Sequence, residues 1–309
     1  MNRNRILGGH LAAAVTILIW GTTFISTKVL LRTFTPIEIL FIRFLLGYAA
    51  LWLACPRGLK LESRGHERLF MAAGLCGVTL YYLLENIALT YTLASNVGVI
   101  ISIAPFFTAI LGWLFLDGER PQARFFAGFV LAMAGICLIS FSSESALALN
   151  PLGDLLAVAA AILWAVYSTI TRKISALGHG TIQTTRRTFF YGLLFMAPVL
   201  AVMGFEVSPS QFMDAKNLLN LLFLGIGASA LCFVTWNIGV RVLGAVKTSV
   251  YIYMVPVITT LTSALVLHET VTVTAALGII LTLSGLFLSE RRTSDKGDVK
   301  LWTTKTKNV

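Results

Sequence analysis

Charge is scarce in this chain. Of its 309 residues only 12% are charged, about half of the roughly 25% that a soluble domain carries. Too few charged groups remain to cover a water-facing surface, which excludes an ordinary soluble domain. Cysteine is scarce as well. Cys55, Cys76, Cys137 and Cys232 lie far apart, in or beside apolar runs, with no CxxC spacing. They read as small hydrophobes of a membrane interior, not as a disulfide framework or a metal site. The four histidines, His10, His66, His179 and His268, are scattered, so no metal cluster is indicated. HExxH, GxSxG and Walker motifs are missing, which removes the usual signs of an enzyme and of a bound cofactor. Without an ATP site, any transport is driven by a gradient or is passive.

Hydrocarbon is what the chain has in plenty. Hydrophobic residues make up 57% and the mean hydropathy is +0.82, so lipid is the expected solvent. The net charge of +10 does not point to nucleic acid. Most basic residues sit in short segments between apolar runs and in the tail, which is where cytoplasmic loops of a membrane protein carry them. A helix needs roughly 20 apolar residues to cross the bilayer. Ten segments qualify, near 11–31, 37–54, 69–91, 95–116, 124–142, 153–172, 183–203, 218–242, 247–267 and 273–289. The first begins after Arg3 and Arg5 but lacks a convincing small-residue cleavage site, so it reads as a mature helix and not a signal peptide. Short connections such as Thr92–Ala94 imply antiparallel neighbours. With the N-terminus inside, 20 of the 24 Lys and Arg fall on the inner side. Both termini are therefore expected in the cytoplasm. The polar tail from Glu290 reads as disordered.

The two halves of the sequence resemble each other. At an offset of 144, Trp20 pairs with Trp164, Thr27 with Thr171, Lys28 with Arg172 and Arg43 with Arg187. At 151, Asn86 pairs with Asn237, Ala94 with Ala245 and Pro105 with Pro256. At 150, Gly128 pairs with Gly278 and Gly135 with Gly285. Five helices per half is an odd number, so the second half enters the membrane inverted, a recurring plan of transporters with one site near the midplane. The expected organisation is an all-α integral membrane protein of two inverted five-helix repeats. A cytoplasmic N-terminus covers 1–10, a first repeat 11–142, an outside linker 143–152, a second repeat 153–289 and a cytoplasmic tail 290–309.

Several motifs carry a family resemblance. They are Ile19-Trp20-Gly21-Thr22-Thr23-Phe24, Ile42-Arg43-Phe44, the run from Glu85 to Thr92, Ile103-Ala104-Pro105-Phe106-Phe107-Thr108 and Leu116-Asp117-Gly118-Glu119-Arg120-Pro121. In the second half, Tyr253-Met254-Val255-Pro256-Val257 and Leu267-His268-Glu269 match them. Over residues 11–289 the chain resembles the drug/metabolite transporter superfamily in its ten-helix EamA-type branch. The resemblance implies transport of amino acids or other small metabolites, often export, across the cell (inner) membrane. Two departures stand out: one extra residue before Glu119, and Ala165 where the first half has Gly21.

Polar side chains within a span cost energy unless they face the bundle interior or a wet cavity; an ionisable one at the helix centre costs about 2.5–3.5 kcal/mol on insertion scales. Trp20, Thr23 and Thr27 share one helical face, and Trp164, Tyr167 and Thr171 repeat it. Thr79, Tyr82 and Asn86 share a face of the third helix, with Tyr81 and Glu85 beside it. Glu85 is the most isolated acid, suited to attract a substrate ammonium or to couple to protons, or else satisfied by Tyr81 or a cation. Asn86 and Asn237 hydrogen-bond either a solute or a neighbouring helix. Trp236 occupies the position that matches Glu85. Ser102 and Tyr253 each stand three residues before a kinking proline, Pro105 or Pro256. The expected cavity residues are thus Trp20, Thr23, Thr27, Tyr82, Glu85, Asn86, Ser102, Trp164, Tyr167, Thr171, Trp236, Asn237 and Tyr253, with Pro105 and Pro256 as hinges. Arg43 and Arg187 are expected to pair with carbonyls or acids near a helix end, with anion binding as the alternative. Lys28 and Arg172 are expected to snorkel to opposite interfaces. Two stripes of small residues, Gly128–Ala132–Gly135 and Gly278–Thr282–Gly285, suit close helix packing or, as a weaker reading, a dimer contact. The expected partners are a small-molecule substrate and the lipid bilayer, without nucleic acid, in a monomer or homodimer. The competing readings are a passive channel, which shows flux without saturation, a membrane-embedded enzyme on a lipid-linked substrate, and an assembly or signalling protein, which shows no flux.

Overall fold

The computed structural model describes residues 3–61, 63–92, 94–116, 121–141, 150–267 and 272–290. The described residues are helical wherever they are regular, and nine of their helices are long and apolar enough to cross a membrane. A further apolar helix is shorter. We number them in chain order. α1 is Arg3–Leu30, α2 Pro36–Ala54 and α5 Ala123–Phe141. α3 joins Arg64–Gly74, Leu75–Leu80 and Tyr81–Tyr91; α4 joins Ala94–Ile101 and Ala104–Phe115. α6 is Pro151–Ala176 and α7 Thr181–Met203. α8 joins Ala215–Leu222, Phe223–Leu231 and Cys232–Leu243; α9 joins Ala245–Val250, Tyr251–Tyr253 and Met254–Leu267; α10 is Val273–Glu290.

Local chemistry sets the helix starts. Thr35 caps α2 in a capping box with Glu38, with Pro36 in the first turn, and Asn150 caps α6 ahead of Pro151. Both arrangements satisfy otherwise orphaned N–H groups. Among the described residues the first helix already runs from Arg3, ahead of the apolar span expected from near residue 11, and Gly9 lies against Val242 and Leu243 of α8. The expected disordered tail, most of the linker, Asp117 to Arg120, His268 and Glu269 lie outside the described residues. The four cysteines are free thiols.

Contacts gather the helix ends into two groups. At one end of the bundle, Arg186 at the start of α7 donates to the Cys55 and Arg57 carbonyls after α2. There too Arg187 pairs with Glu67 of α3 at 2.6 Å, and Arg241 donates to the His179 carbonyl. At the other end, Lys28 donates to the last carbonyls of α3, Leu89 at 2.6 Å and Thr92 at 3.1 Å. Glu206 beyond α7 donates its N–H to Glu38, and Gly153 of α6 lies against Tyr91 and Thr92.

Several contacts recur at the sequence offsets. Arg172, the counterpart of Lys28, donates to Val240 and Arg241 at the end of α8, as Lys28 does at the end of α3. Both cations therefore cap carbonyls, where a positive charge is favoured; neither simply snorkels. Gly74 lies against Thr188 and Gly192 of α7, and Gly225, 151 residues later, against Arg43 and Leu46 of α2. α3 and α8 each contain a π-helical segment, Leu75–Leu80 and Phe223–Leu231. These two ranges overlap at the same offset, and the sequence periodicity did not foreshadow them. The small-residue stripes face each other: a Cβ on Gly285 would lie 2.4 Å from the Ala132 nitrogen, and one on Gly135 2.5 Å from the Gly278 carbonyl. α5 and α10 therefore meet backbone to backbone, which leaves neither stripe open to a second copy.

Candidate functional site

A narrow cavity with an open mouth lies where α1, α3, α4, α6 and α9 converge. Trp20, Thr23 and Phe24 line it from α1, Tyr81, Tyr82 and Glu85 from α3, Gly98 and Ile101 from α4, Trp164 from α6, and Ile252 and Val255 from α9. On α1 and α3 these residues lie past the midpoint, toward the end where Lys28 caps α3; on α4 they lie near its start.

The π segment explains which face of α3 reaches the cavity. A π turn closes i to i+5 bonds and shifts the facing of everything beyond it. Thr79 therefore turns to α7, donating to the Gly192 carbonyl at 2.9 Å. Tyr81, Tyr82 and Glu85 turn to the cavity, and Asn86 turns away to donate to the Pro36 carbonyl at 3.1 Å. A straight 3.6-residue period had grouped Thr79, Tyr82 and Asn86 on one face.

Glu85 is buried, with the Tyr81 hydroxyl beside its carboxyl and the charge of Arg43 near enough to attract it. Among the described residues the ion pair found is Arg187–Glu67, so Glu85 and Arg43 are not joined in one. Arg43 is 1% exposed. Its Nε donates to Ser229 at 3.0 Å, its guanidinium lies 4.4 Å from the centre of the Tyr82 ring, and its Nη2 has no hydrogen-bond partner. Pairing near a helix end thus describes Arg187 but not Arg43, which sits mid-helix behind a cavity wall.

Beneath the cavity lies a layer of packed rings. Trp20 contacts Trp164 at 5.1 Å and Trp236 at 5.2 Å, Trp164 contacts Tyr81 at 4.9 Å, and Phe233 touches Trp20, Tyr82, Trp164 and Tyr167. The Trp20 indole donates to Ala228 in the π segment of α8 at 3.0 Å. Trp236 is fully buried behind the wall and does not line it. On the far side of the layer, Tyr167 donates to Asn237 at 3.0 Å and Asn237 to Thr185 at 2.9 Å. There a second, smaller pocket is lined by Thr171, Ile174 and Ser175, by His179, by Thr181, Thr184 and Thr188, and by Asn237 and Arg241. These positions cluster at the end of the bundle where Arg186 reaches α2.

The expected site residues therefore separate. Trp20, Thr23, Tyr82, Glu85 and Trp164 share the first cavity; Thr171 and Asn237 line the second pocket. Thr27, Asn86 and Tyr167 are buried and line neither. Ser102 bonds back to Gly98 of its own helix at 2.8 Å. Tyr253 is buried in a separate cluster with Val99, Phe125 and Leu286. The helices are interrupted beside both prolines: α4 breaks at Ser102 and Ile103, before Pro105, and α9 tightens to a 3₁₀ turn at Tyr251–Tyr253, before Pro256. Phe24, Tyr81, Gly98, Ile101, Ile252 and Val255 were missed as lining residues. Apolar residues in an apolar span carry no signal; Tyr81, next to Tyr82 and four residues before Glu85, did.

Apolar spans around a partly polar cavity define a multi-pass membrane protein that handles small molecules. The family model described as the EamA-like transporter family matches this chain twice, over residues 7–141 and 151–291. The chain belongs to that family, whose members and relatives are named as transporters, not enzymes. An uncharacterised transporter of Archaeoglobus fulgidus is 33% identical over 91% of this chain and 96% of its own length. A probable terminal-alkyne amino-acid exporter of Streptantibioticus cattleyicolor is 26% identical over 91% and 93%. A probable amino-acid metabolite efflux pump of Escherichia coli is 24% identical over 90% and 93%. One crystal structure shares the fold with a TM-score of 0.73 at 23% identity, over 91% of this chain and 96% of the other.

Proposed function

We propose that the chain is a secondary transporter that exports a small polar metabolite, an amino acid or a related amine or carboxylate, across the cell (inner) membrane by alternating access. In this reading ten spans form two inverted five-helix repeats with both termini in the cytoplasm. The solute binds in the cavity lined by Trp20, Thr23, Tyr82, Glu85 and Trp164. Glu85 attracts its ammonium group, with Tyr81 beside the carboxyl and ring faces that favour a cation.

One observation carries the proposal: two pockets lie on opposite sides of a single aromatic layer. The first is lined from α1, α3, α4, α6 and α9, the second from α6, α7 and α8, so helices of both halves contribute to the pair and α6 reaches both. Inverted repeats use such a pair to expose one site alternately to each side. The matched caps of Lys28 and Arg172 at opposite ends of the bundle support the inversion. So does the charge asymmetry of the loops. The closed ring layer favours a carrier over an open channel.

Proteoliposome counterflow tests the reading. A carrier gives saturable uptake that is accelerated by solute preloaded on the far side. Glu85→Gln is expected to lower uptake at least tenfold while the protein stays folded. Unsaturable flux, or normal counterflow in Glu85→Gln, refutes the carrier or the site respectively. Cysteines at Gly8 and Leu152 should label from opposite sides of the membrane; labelling from one side refutes the inversion.

A further inference from the structure

Two tryptophans at matching positions in the two halves line the same cavity, and their indole N–H groups have different fates. The Trp20 indole already has an acceptor, the Ala228 carbonyl. Trp164 is 2% exposed, lines the cavity, and its Nε1 has no acceptor. A buried donor left unpaired is unfavourable, and most such groups in native structures find a partner. Its ring is held in place by Trp20, Tyr81, Tyr167 and Trp236 around it. Trp236 Nε1 is also unpartnered, but it lies behind the wall; Trp164 is the one of the two whose N–H can take its acceptor from an occupant of the cavity.

The same wall indicates what kind of acceptor. Arg43 lies behind Tyr82 with no carboxylate paired to it and with Nη2 unpartnered. In a low-dielectric interior its charge favours an anion in front of that ring over a neutral carbonyl. Glu85, on the same cavity, attracts the opposite charge. We infer that Trp164 is a specificity-determining residue: its Nε1–H donates to the carboxylate of the transported solute while Glu85 holds the ammonium, so the site selects zwitterionic amino acids over amines that lack the carboxylate. This rests on the transporter reading and its cavity. A neutral donor suits a carrier, because it adds selectivity without a second fixed charge that would have to be neutralised each time the solute leaves.

The test is binding to the detergent-solubilised full chain. The probes are L-leucine, L-phenylalanine, L-threonine and L-lysine, each beside the amine left by its decarboxylation. Ligand-dependent thermal stabilisation and displacement titration give the affinities. The wild type is expected to prefer at least one amino acid over its amine. Trp164 is then replaced by 3-benzothienylalanine, which keeps the shape and puts sulfur where the N–H was. That variant should lose roughly tenfold or more in affinity for the amino acid, the worth of a hydrogen bond to a charged group, and bind the amine unchanged. Trp164→Phe, which also removes ring surface from the wall, should weaken the amino acid more than the amine. If amino acid and amine weaken together, Trp164 is only a wall and the inference fails. It fails too if the isostere binds the amino acid normally, or if, with no solute present, it changes maleimide labelling of Thr23→Cys, since the N–H then serves a conformational change. If the wild type binds none of the probes, the amino-acid and amine reading of the cavity falls, and this inference with it.

Discussion

Gly98 offers the sharpest test of the cavity. It is buried on α4, and a Cβ built there would meet only Phe24 Cε2, at 3.9 Å, an ordinary contact. The backbone is helical, so replacing glycine by alanine gains up to about 1 kcal/mol of helix propensity. Gly98→Ala should therefore fold at least as well as the wild type and transport normally. Gly98→Leu sends four carbons into the space meant for the solute. The Cβ meets only Phe24 and the cavity has an open mouth, so the fold is expected to tolerate them and the solute is not. Overpacking costs about 1–3 kcal/mol, here set against binding, which corresponds to a loss of roughly 5- to 150-fold in affinity. Thermal unfolding and proteoliposome counterflow on the same preparations separate the two effects. The Leu variant should keep its melting temperature and lose uptake through a raised KM. If it transports with the wild-type KM, the solute does not pass through this cavity, and the site assignment is refuted.

Gly77→Ala is the contrasting case: its Cβ would fall 2.2 Å from Tyr167 Cδ2, so the melting temperature should drop by an amount equivalent to about 1–3 kcal/mol. Gly285→Leu drives a side chain into the backbone of α5, 2.4 Å from the Ala132 nitrogen, and should leave little monodisperse protein on size-exclusion chromatography. Trp20→Phe removes the donor to Ala228 and should destabilise by about 1 kcal/mol; an unchanged melting curve would mean the bond contributes nothing. Lys28→Ala and Arg172→Ala each uncap a helix and should cost about 0.3–1 kcal/mol, seen as faster amide exchange at Leu89 and Thr92 in the first and at Val240 and Arg241 in the second.

The membrane class and the approximate helix boundaries were legible because lipid imposes long apolar runs, which are coarse features of composition. Close packing of the two glycine stripes was legible because spacing alone puts small residues on one face; that they pack against each other was not, because spacing does not name the partner helix. The site was only partly legible. Glu85 stood out because an acid in an apolar run is costly wherever it points. Asn86 and Asn237 looked equivalent, yet one bonds a carbonyl in the first turn of α2 and the other bridges Tyr167 and Thr185. Thr23 stands where the second half has Tyr167, and it is too short to reach a side chain as Tyr167 reaches Asn237. The facing of α3 was misjudged because a π segment is a matter of backbone bonding, and nothing in the pattern from Leu75 to Leu80 marks it. Arg43 was expected near a helix end; in the structure it is held by a hydroxyl and a ring deep in the bundle, which depends on contacts with α8 and α3 that no local pattern encodes.

The seam between α5 and α10 has a mechanical consequence. Main chain presses on main chain there at Gly128, Gly135, Gly278 and Gly285, with Ile139 the one large side chain among the nearest neighbours of these glycines. Two helices in such contact have few rotamers by which to slide past each other. In the alternating-access motion proposed above, this seam is expected to move least and to serve as its axle.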